Sequence, residues 1–266
     1  MQLIRMQALW TIPLIYFGFG FALYLAQNYL LYLPDDSAFG DCVQAGDETI
    51  ALTEDAVRGY YTPSPSGAEE RLVVMYHGNA GNACHRNQLV NTLQTHDHAV
   101  LIVEYPGFAD TSTRPNTRAI LENVAAVADW VDAAPYRSIT LLGESIGGGF
   151  ASHHATLSEK DTELILLTPF ARLSDRAQEA VLIYPVRWLL QEDLYTADWA
   201  TAAERVTAIA AEHDQIMPRH HSDRLVEQVT ESGTPTDYHI IPDTDHNTLY
   251  TSSTFREQLA AALATN

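Results

Sequence analysis

"LLGESIGGGF", residues 141–150, is the stretch that decides the fold. An apolar run ends on Gly143-Glu144-Ser145, and three glycines follow almost at once. A glycine inside a helix costs about 1 kcal/mol relative to alanine. Gly147, Gly148 and Gly149 therefore open a helix at a cost, unless the space they leave is needed. Gly143 and Gly147 flank Ser145 in the pattern G-x-S-x-G, which between a strand and a helix carries a serine on a sharp, exposed turn. A Cβ at either glycine is expected to clash with the neighbouring strand and helix. Gly148 and Gly149 are expected to let the helix start lie close to the sheet. A phosphate loop is the competing reading, but Ser152 stands where the third glycine of G-x-G-x-x-G belongs, and no GK[ST] occurs.

The surroundings fit that reading. Apolar runs of strand length recur at 71–77, 99–105, 138–143, 163–168, 206–211 and 237–241. They are nearly continuous rather than alternating, as in strands buried on both faces. Segments of helical character lie between them, at 83–96, 117–133, 146–157, 218–231 and 250–264. This alternation predicts an α/β domain over 49–266, with a mostly parallel sheet and helices on both faces.

A serine hydroxyl needs a base to become a nucleophile. With the chain order Ser, acid, His, Asp214 lies just past the strand-like run 206–211 and His246 follows the last one. His153, His154, His213 and His239 are competing histidines, and Asp243 and Asp245 competing acids; none combines the right order with the right strand end. The oxyanion of a tetrahedral intermediate needs two backbone N–H groups. Ile146, the residue after the nucleophile, supplies one, and Asn79, in the loop "YHGNAGN" at 76–82, is the choice for the other, with Ala80 next.

Between Arg5 and Asp35 no side chain is charged. A spanning helix needs about 20 apolar residues and a signal-peptide core only about 7–15. Residues 1–34 therefore read as an N-terminal transmembrane anchor contacting membrane through 9–33, with 35–48 a linker. Trp10, Tyr16, Tyr29 and Tyr32 are placed as interface aromatics would be, and Gly18, Ala22 and Ala26 share one helix face. Arg5 precedes the span, whereas Asp35, Asp36, Asp41, Asp47 and Glu48 follow it, so the domain is expected to face away from the cytoplasm. The break between span and acidic stretch suggests an anchor separable from the domain near Asp41. The formal charge of −19, from 15 Lys+Arg against 34 Asp+Glu, disfavours nucleic acid and anionic surfaces. It suits a salty milieu as well as it suits an ordinary acidic protein. Cys42 and Cys84 are too few for a disulfide framework, though one bridge between them fits an oxidising compartment. The pairs His153-His154 and His220-His221 lack metal-ligand spacing, so no metal is expected.

With these residues in place, the chain resembles an α/β-hydrolase, and within that superfamily the membrane-anchored branch of lysophospholipid lipases and protein depalmitoylases. The resemblance rests on His77 to Asn82, Tyr105-Pro106-Gly107-Phe108, Gly143 to Gly147, Thr168-Pro169-Phe170, Asp214 to Pro218 and His246-Asn247. Two departures bear on substrate shape and on the surroundings of the histidine. Ala109, Asp110 and Thr111 stand where Gly-x-Ser is usual, and Asp245 where a glycine is usual before the histidine. The resemblance implies a cofactor-free serine hydrolase with Ser145, Asp214 and His246 as triad, acting on esters or thioesters. The insert at 170–203, rich in Trp, Tyr and Leu, would then be either an acyl-binding lid, with Trp188 and Phe170 against substrate, or ordinary helices packed on the sheet. Two other readings use the same sequence: a peptidase with the same triad, and a catalytically silent, membrane-tethered binding module.

Overall fold

The structure is a computed structural model that describes residues 2–35, 37–40, 48–51, 58–109 and 113–264. The expected linker falls largely outside them, as do Cys42 and Asp110-Thr111. Ten strands run in chain order: β1 (Leu33–Pro34), β2 (Glu48–Ala51), β3 (Arg58–Thr62), β4 (Arg71–Tyr76), β5 (Ala80–Gly81), β6 (Ala99–Glu104), β7 (Ser138–Glu144), β8 (Thr162–Leu167), β9 (Arg205–Ala211) and β10 (Thr236–Ile241). Among the described residues eight of them form one sheet, ordered β10-β9-β8-β7-β4-β6-β3-β2. Neighbours from β10 to β6 are parallel, and β3 and β2 join antiparallel. The six runs read from the sequence are the parallel strands. The antiparallel pair β2–β3 carries no comparable apolar run, and the sequence did not announce it.

Alternate residues of β4 feed two cores. Leu72, Val74 and Tyr76 face one, and Val73 and Met75 the other. The first core is closed by α4 (Thr117–Ala133), α5 (Gly147–Leu157), α8 (Thr196–Ala200) and α9 (His220–Glu231), the second by α3 (Asn87–Leu93) and α10 (Ser253–Leu263). Helix α4 buries Ile120, Val124, Val127 and Val131, one stripe at helical spacing, and Asn116 caps its start by accepting from the Ala119 N–H at 2.9 Å. The insert folds into α6 (Leu173–Ala180), α7 (Val186–Leu189) and α8. Cys84 is disulfide-bonded; its expected partner, Cys42, lies outside the described residues.

The N-terminal stretch forms α1 (Gln2–Leu25) and α2 (Gln27–Leu31). Among the described residues no helix is long and apolar enough to cross a membrane. The outer side of α1 leaves Ile12, Leu14, Ile15, Phe17 and Phe21 exposed, while its other side packs on the insert. The expected interface role of Tyr32 is corrected: it is a core residue, 3% exposed, with its hydroxyl 2.6 Å from that of Thr117. Tyr16 stacks on Tyr184 of the insert, ring centroids 4.6 Å apart. Close packing falls at Gly20, where a Cβ would come within 2.6 Å of the Tyr184 ring, and not at Gly18, which faces open space.

His154 lies wholly inside the first core on α5, its Nδ1 2.7 Å from the Tyr76 hydroxyl. Burial pushes its imidazole down from 6.5 to about 3. Between these values the unfolded chain binds a proton that the folded chain refuses, so falling pH favours unfolding. The stability held at this site is complete above about pH 6.5 and is lost progressively toward pH 3. Urea midpoints measured from pH 7 to 4 should therefore fall, and His154→Gln should flatten the slope by up to about 1.4 kcal/mol per pH unit. An unchanged slope in the variant would place the acid sensitivity elsewhere.

Candidate active site

Strand register brings the site together. Tyr76 of β4 pairs with Gly143 of β7, so the loops leaving these adjacent strands start side by side at their carboxyl ends. One loop is the Ser145 turn, and the other contains Asn79. Ser145 sits at φ +52, a left-handed conformation uncommon for a residue with a Cβ. Its N–H is fastened to the Leu167 carbonyl at 2.9 Å. A Cβ on Gly147 would lie 2.2 Å from the Tyr76 carbonyl oxygen and 2.6 Å from that of His77, and one on Gly143 would lie 2.4 Å from Gly148 Cα. The other two glycines differ from expectation. A Cβ at Gly148 would make an ordinary contact with Leu166 at 3.4 Å, and Gly149 faces the Leu194 side chain of the insert, not the sheet.

The acid and the histidine meet. His246 Nδ1 lies 2.6 Å from Asp214 Oδ2, with the Asp214 side chain 1% exposed and that of His246 13%. Asp214 Oδ1 accepts from the N–H groups of Ile216 and Met217 at 2.9 and 2.7 Å, which fixes the carboxylate. The rivals are engaged elsewhere. His153 packs on Trp199, His213 lies beside Glu212, and His239 stays in β10. Asp245, the departure from the usual glycine, caps the turn that carries His246. Its Oδ1 accepts from the N–H groups of Thr248 and Asn247, each at 2.9 Å, and these bonds hold its carboxyl below the usual range.

Among the described residues the backbone N–H groups of Asn79 and Ile146 donate to no backbone carbonyl. Both residues line one cavity of about 360 Å³ with Ser145 and Phe170. Ile216 and Met217, which hold Asp214, line it too, as do Leu173, Val181, Val186 and Leu190 of the insert. Trp188 does not: it is 89% exposed on α7, and the expected substrate contact is corrected to an outward-facing side chain. In an apolar insert of short helices, the sequence carries no period long enough to tell which aromatic turns inward. Less expected is the third wall. Gly20, Leu23, Tyr24, Gln27, Leu30 and Leu31 of the N-terminal helices also line the cavity.

Sequence reading also missed the groups that hold the Asn79 loop. Arg86 Nε and Nη2 each donate to Glu144, the residue before the nucleophile, at 2.7 Å, and Arg86 Nη1 donates to the Ala80 carbonyl at 3.0 Å. Burial by itself would raise the Glu144 carboxyl, but the Arg86 guanidinium holds it below the ordinary range. The Asn79 carbonyl accepts from the Leu33 N–H at 2.9 Å, and Asn79 Nδ2 donates to the Leu31 carbonyl at 3.0 Å. The partners are 58 and 48 residues apart in the first and last of these contacts, so no local pattern announces them. One reading of the paired histidines changes as well. Glu179 of α6 lies 3.0 Å from the Nε2 atoms of both His220 and His221, and these three side chains are close enough to share a cation.

The alpha/beta hydrolase fold family matches residues 71–162. The esterase Pf2001 of Pyrococcus furiosus superposes with a TM-score of 0.67 at 14% identity, over 88% of this chain and 98% of that one. The chain has the alpha/beta hydrolase fold. It is 26% identical over 267 residues to the YfhR protein of Escherichia coli strain K12, covering 92% of this chain and 91% of that one. Lysophosphatidylserine lipase ABHD12 of Gallus gallus is 26% identical over 195 residues, 65% of this hydrolase and 51% of the lipase.

The glycine contacts generate a discriminating test in this hydrolase. Gly147→Ala forces a methyl group against two carbonyl oxygens and should destabilise the fold by several kcal/mol, in the range of overpacked cores or beyond. Gly148→Ala removes helix-disfavouring freedom without a clash and should be neutral or stabilising by up to about 1 kcal/mol. Thermal unfolding of the two variants measures the difference; equal losses would show that the elbow does not depend on this approach.

Proposed function

We propose that the protein is a serine hydrolase of the esterase type, cleaving carboxylic esters or thioesters with an apolar acyl part. The observation that carries this is the 2.6 Å contact of His246 Nδ1 with Asp214, in the fold position that follows a serine elbow. With Nδ1 occupied by Asp214, Nε2 is the nitrogen that takes the proton from Ser145 Oγ as Oγ bonds to the substrate carbonyl carbon. The oxygen of the tetrahedral adduct takes the negative charge and is met by the N–H groups of Asn79 and Ile146. His246 then gives its proton to the leaving alcohol or thiol, the bond to that group breaks, and an acyl-serine remains. Water repeats the sequence: it loses a proton to His246, attacks the acyl carbon and returns Ser145 to its starting form. Asp214 stays ionised and stabilises the imidazolium.

The cavity supports acyl esters over peptides, because its walls are mostly aliphatic and offer few polar groups to pair with a peptide backbone. The names borne by the relatives, a lysophosphatidylserine lipase and an esterase, support the same class. Membrane attachment through the N-terminal helix is part of this reading. It rests on the uncharged run from residue 6 to 34 and on the exposed apolar side of α1. An extracytoplasmic domain follows from the acidic flank after that run, and the disulfide at Cys84 supports an oxidising compartment.

Ser145→Ala and His246→Ala should each lower turnover of p-nitrophenyl butyrate by about 10⁴-fold or more, because the triad acts as a unit. His239→Ala should stay within a few-fold of the parent. A dead His239 variant alongside an active His246 variant would reassign the base, and absence of ester turnover in the parent protein would remove the esterase reading. For topology, added protease should cut the loop at 62–67 on intact cells expressing the full chain; protection until permeabilisation would reverse the orientation.

A further inference from the structure

We infer that the N-terminal helices form one wall of the acyl-binding site, so that the chain segment proposed to reach the membrane also selects the acyl chain. This rests on the ester-hydrolase reading for its substrate class, and on separate geometry for the site. Three layers line the cavity in front of Ser145. The floor is the elbow, with Ser145 and Ile146. One wall is the insert, with Leu173, Val181, Val186, Leu189 and Leu190. The opposite wall is Leu23, Leu30 and Leu31, one of them on α1 and two on α2. The volume of about 360 Å³ is in the range of small-molecule ligand sites, and the largely aliphatic lining suits an acyl chain.

The two walls are joined in register. The Tyr16 hydroxyl donates to the Ile183 carbonyl, and the Tyr184 hydroxyl donates back to the Tyr16 carbonyl, both at 2.7 Å. Gln27 bridges the other end: its Nε2 donates to the Leu189 carbonyl at 3.1 Å, and its Oε1 accepts from the Gln191 N–H at 2.7 Å. Gln191 Nε2 also bonds the Tyr24 hydroxyl. Gly20 completes the fit, since any side chain there would meet the Tyr184 ring. A helix that served only as a tether would have no reason for paired hydrogen bonds to the insert on both sides of a cavity. Beside this seam, Leu182, Ile183 and Trp188 of the insert are 80%, 66% and 89% exposed, and they continue the apolar exterior of α1. A bilayer that receives one receives the other, which puts the acyl site at the lipid surface.

Two readouts on the full chain test this. The first is photolabelling of the Ser145→Ala protein with a diazirine-bearing decanol, mapped by mass spectrometry. Adducts on residues 23–31 should be competed away by unlabelled decanol, whereas adducts on Ile12 to Phe17 should not. The second is the ratio of kcat/KM for p-nitrophenyl decanoate to that for the butyrate. Leu23→Trp, which fills the cavity, should lower this ratio at least ten-fold; Leu23→Ala, which enlarges it, should raise it about three-fold. Leu14→Trp, on the outer side of the same helix, should leave it within two-fold. Competed labelling at 23–31 without ester turnover would uphold the site and sink only the esterase reading. Uncompeted labelling there, or Leu23 variants whose ratio matches that of Leu14→Trp, would overturn the inference. Should Leu23→Trp fail to fold, Leu23→Ala decides.

Discussion

The site depends on how closely two strand ends approach each other. β4 and β7 are neighbours, and Tyr76 stands opposite Gly143. That register drives the start of α5 into the carbonyls of Tyr76 and His77, and the chain survives because residue 147 has no Cβ. The left-handed backbone at Ser145 is the other half of the same bargain between strand and helix. Once the turn is forced this tightly, the N–H of Ile146 and the loop holding Asn79 face the same small volume. Ser145 and the N–H groups proposed to meet the oxyanion are thus placed by backbone geometry, which costs no side-chain ordering.

A turn so constrained still needs its neighbouring loop held at a fixed distance. Arg86 does this from the side. Its guanidinium bonds both oxygens of Glu144 on the elbow side and the Ala80 carbonyl on the Asn79 side, so one planar cation spans the two loops. A buried ion pair of this kind is weak evidence for stability, since replacing both partners with apolar groups is often neutral. Its contribution here is geometric. Behind the loop, β1 pairs with β5, and Leu31 accepts from the Asn79 side chain. The Asn79 loop is therefore clamped between the core and the segment that follows the N-terminal helix.

What the sequence revealed and what it hid divide along the range of the interactions. The parallel strands were legible because each is a continuous apolar run, and burial on both faces leaves that mark locally. The turn at Ser145 was legible from five adjacent residues, and the meeting of Asp214 and His246, 2.6 Å apart, from their order and strand ends. Gly148 was over-read, because a run of glycines does not say which member meets the backbone and which has room. Trp188 was misplaced, since a four-residue helix is too short to show a period from which direction can be read. Tyr32 was read as an interface aromatic because an uncharged apolar run looks the same whether lipid or protein covers it. The Arg86–Glu144 contact and the Leu31–Asn79 bond left no mark at all, being set only by tertiary structure.

That last ambiguity has a physical consequence for the idea of a separable anchor. A break at Asp41 looks clean in the sequence because the charge pattern changes there. In the folded chain the break falls after everything the N-terminal segment contributes. The Tyr32 ring is in the core, β1 is paired, the Asn79 amide is bonded to Leu31, and Leu23, Leu30 and Leu31 close the cavity. Cutting there would strip leucines from the cavity wall, remove the Tyr32 ring from the core and leave the half-buried Asn79 amide without its partner. The change in composition marks where the uncharged run ends. It does not mark where the folded unit begins, because α1 and α2 line the cavity beside Ser145.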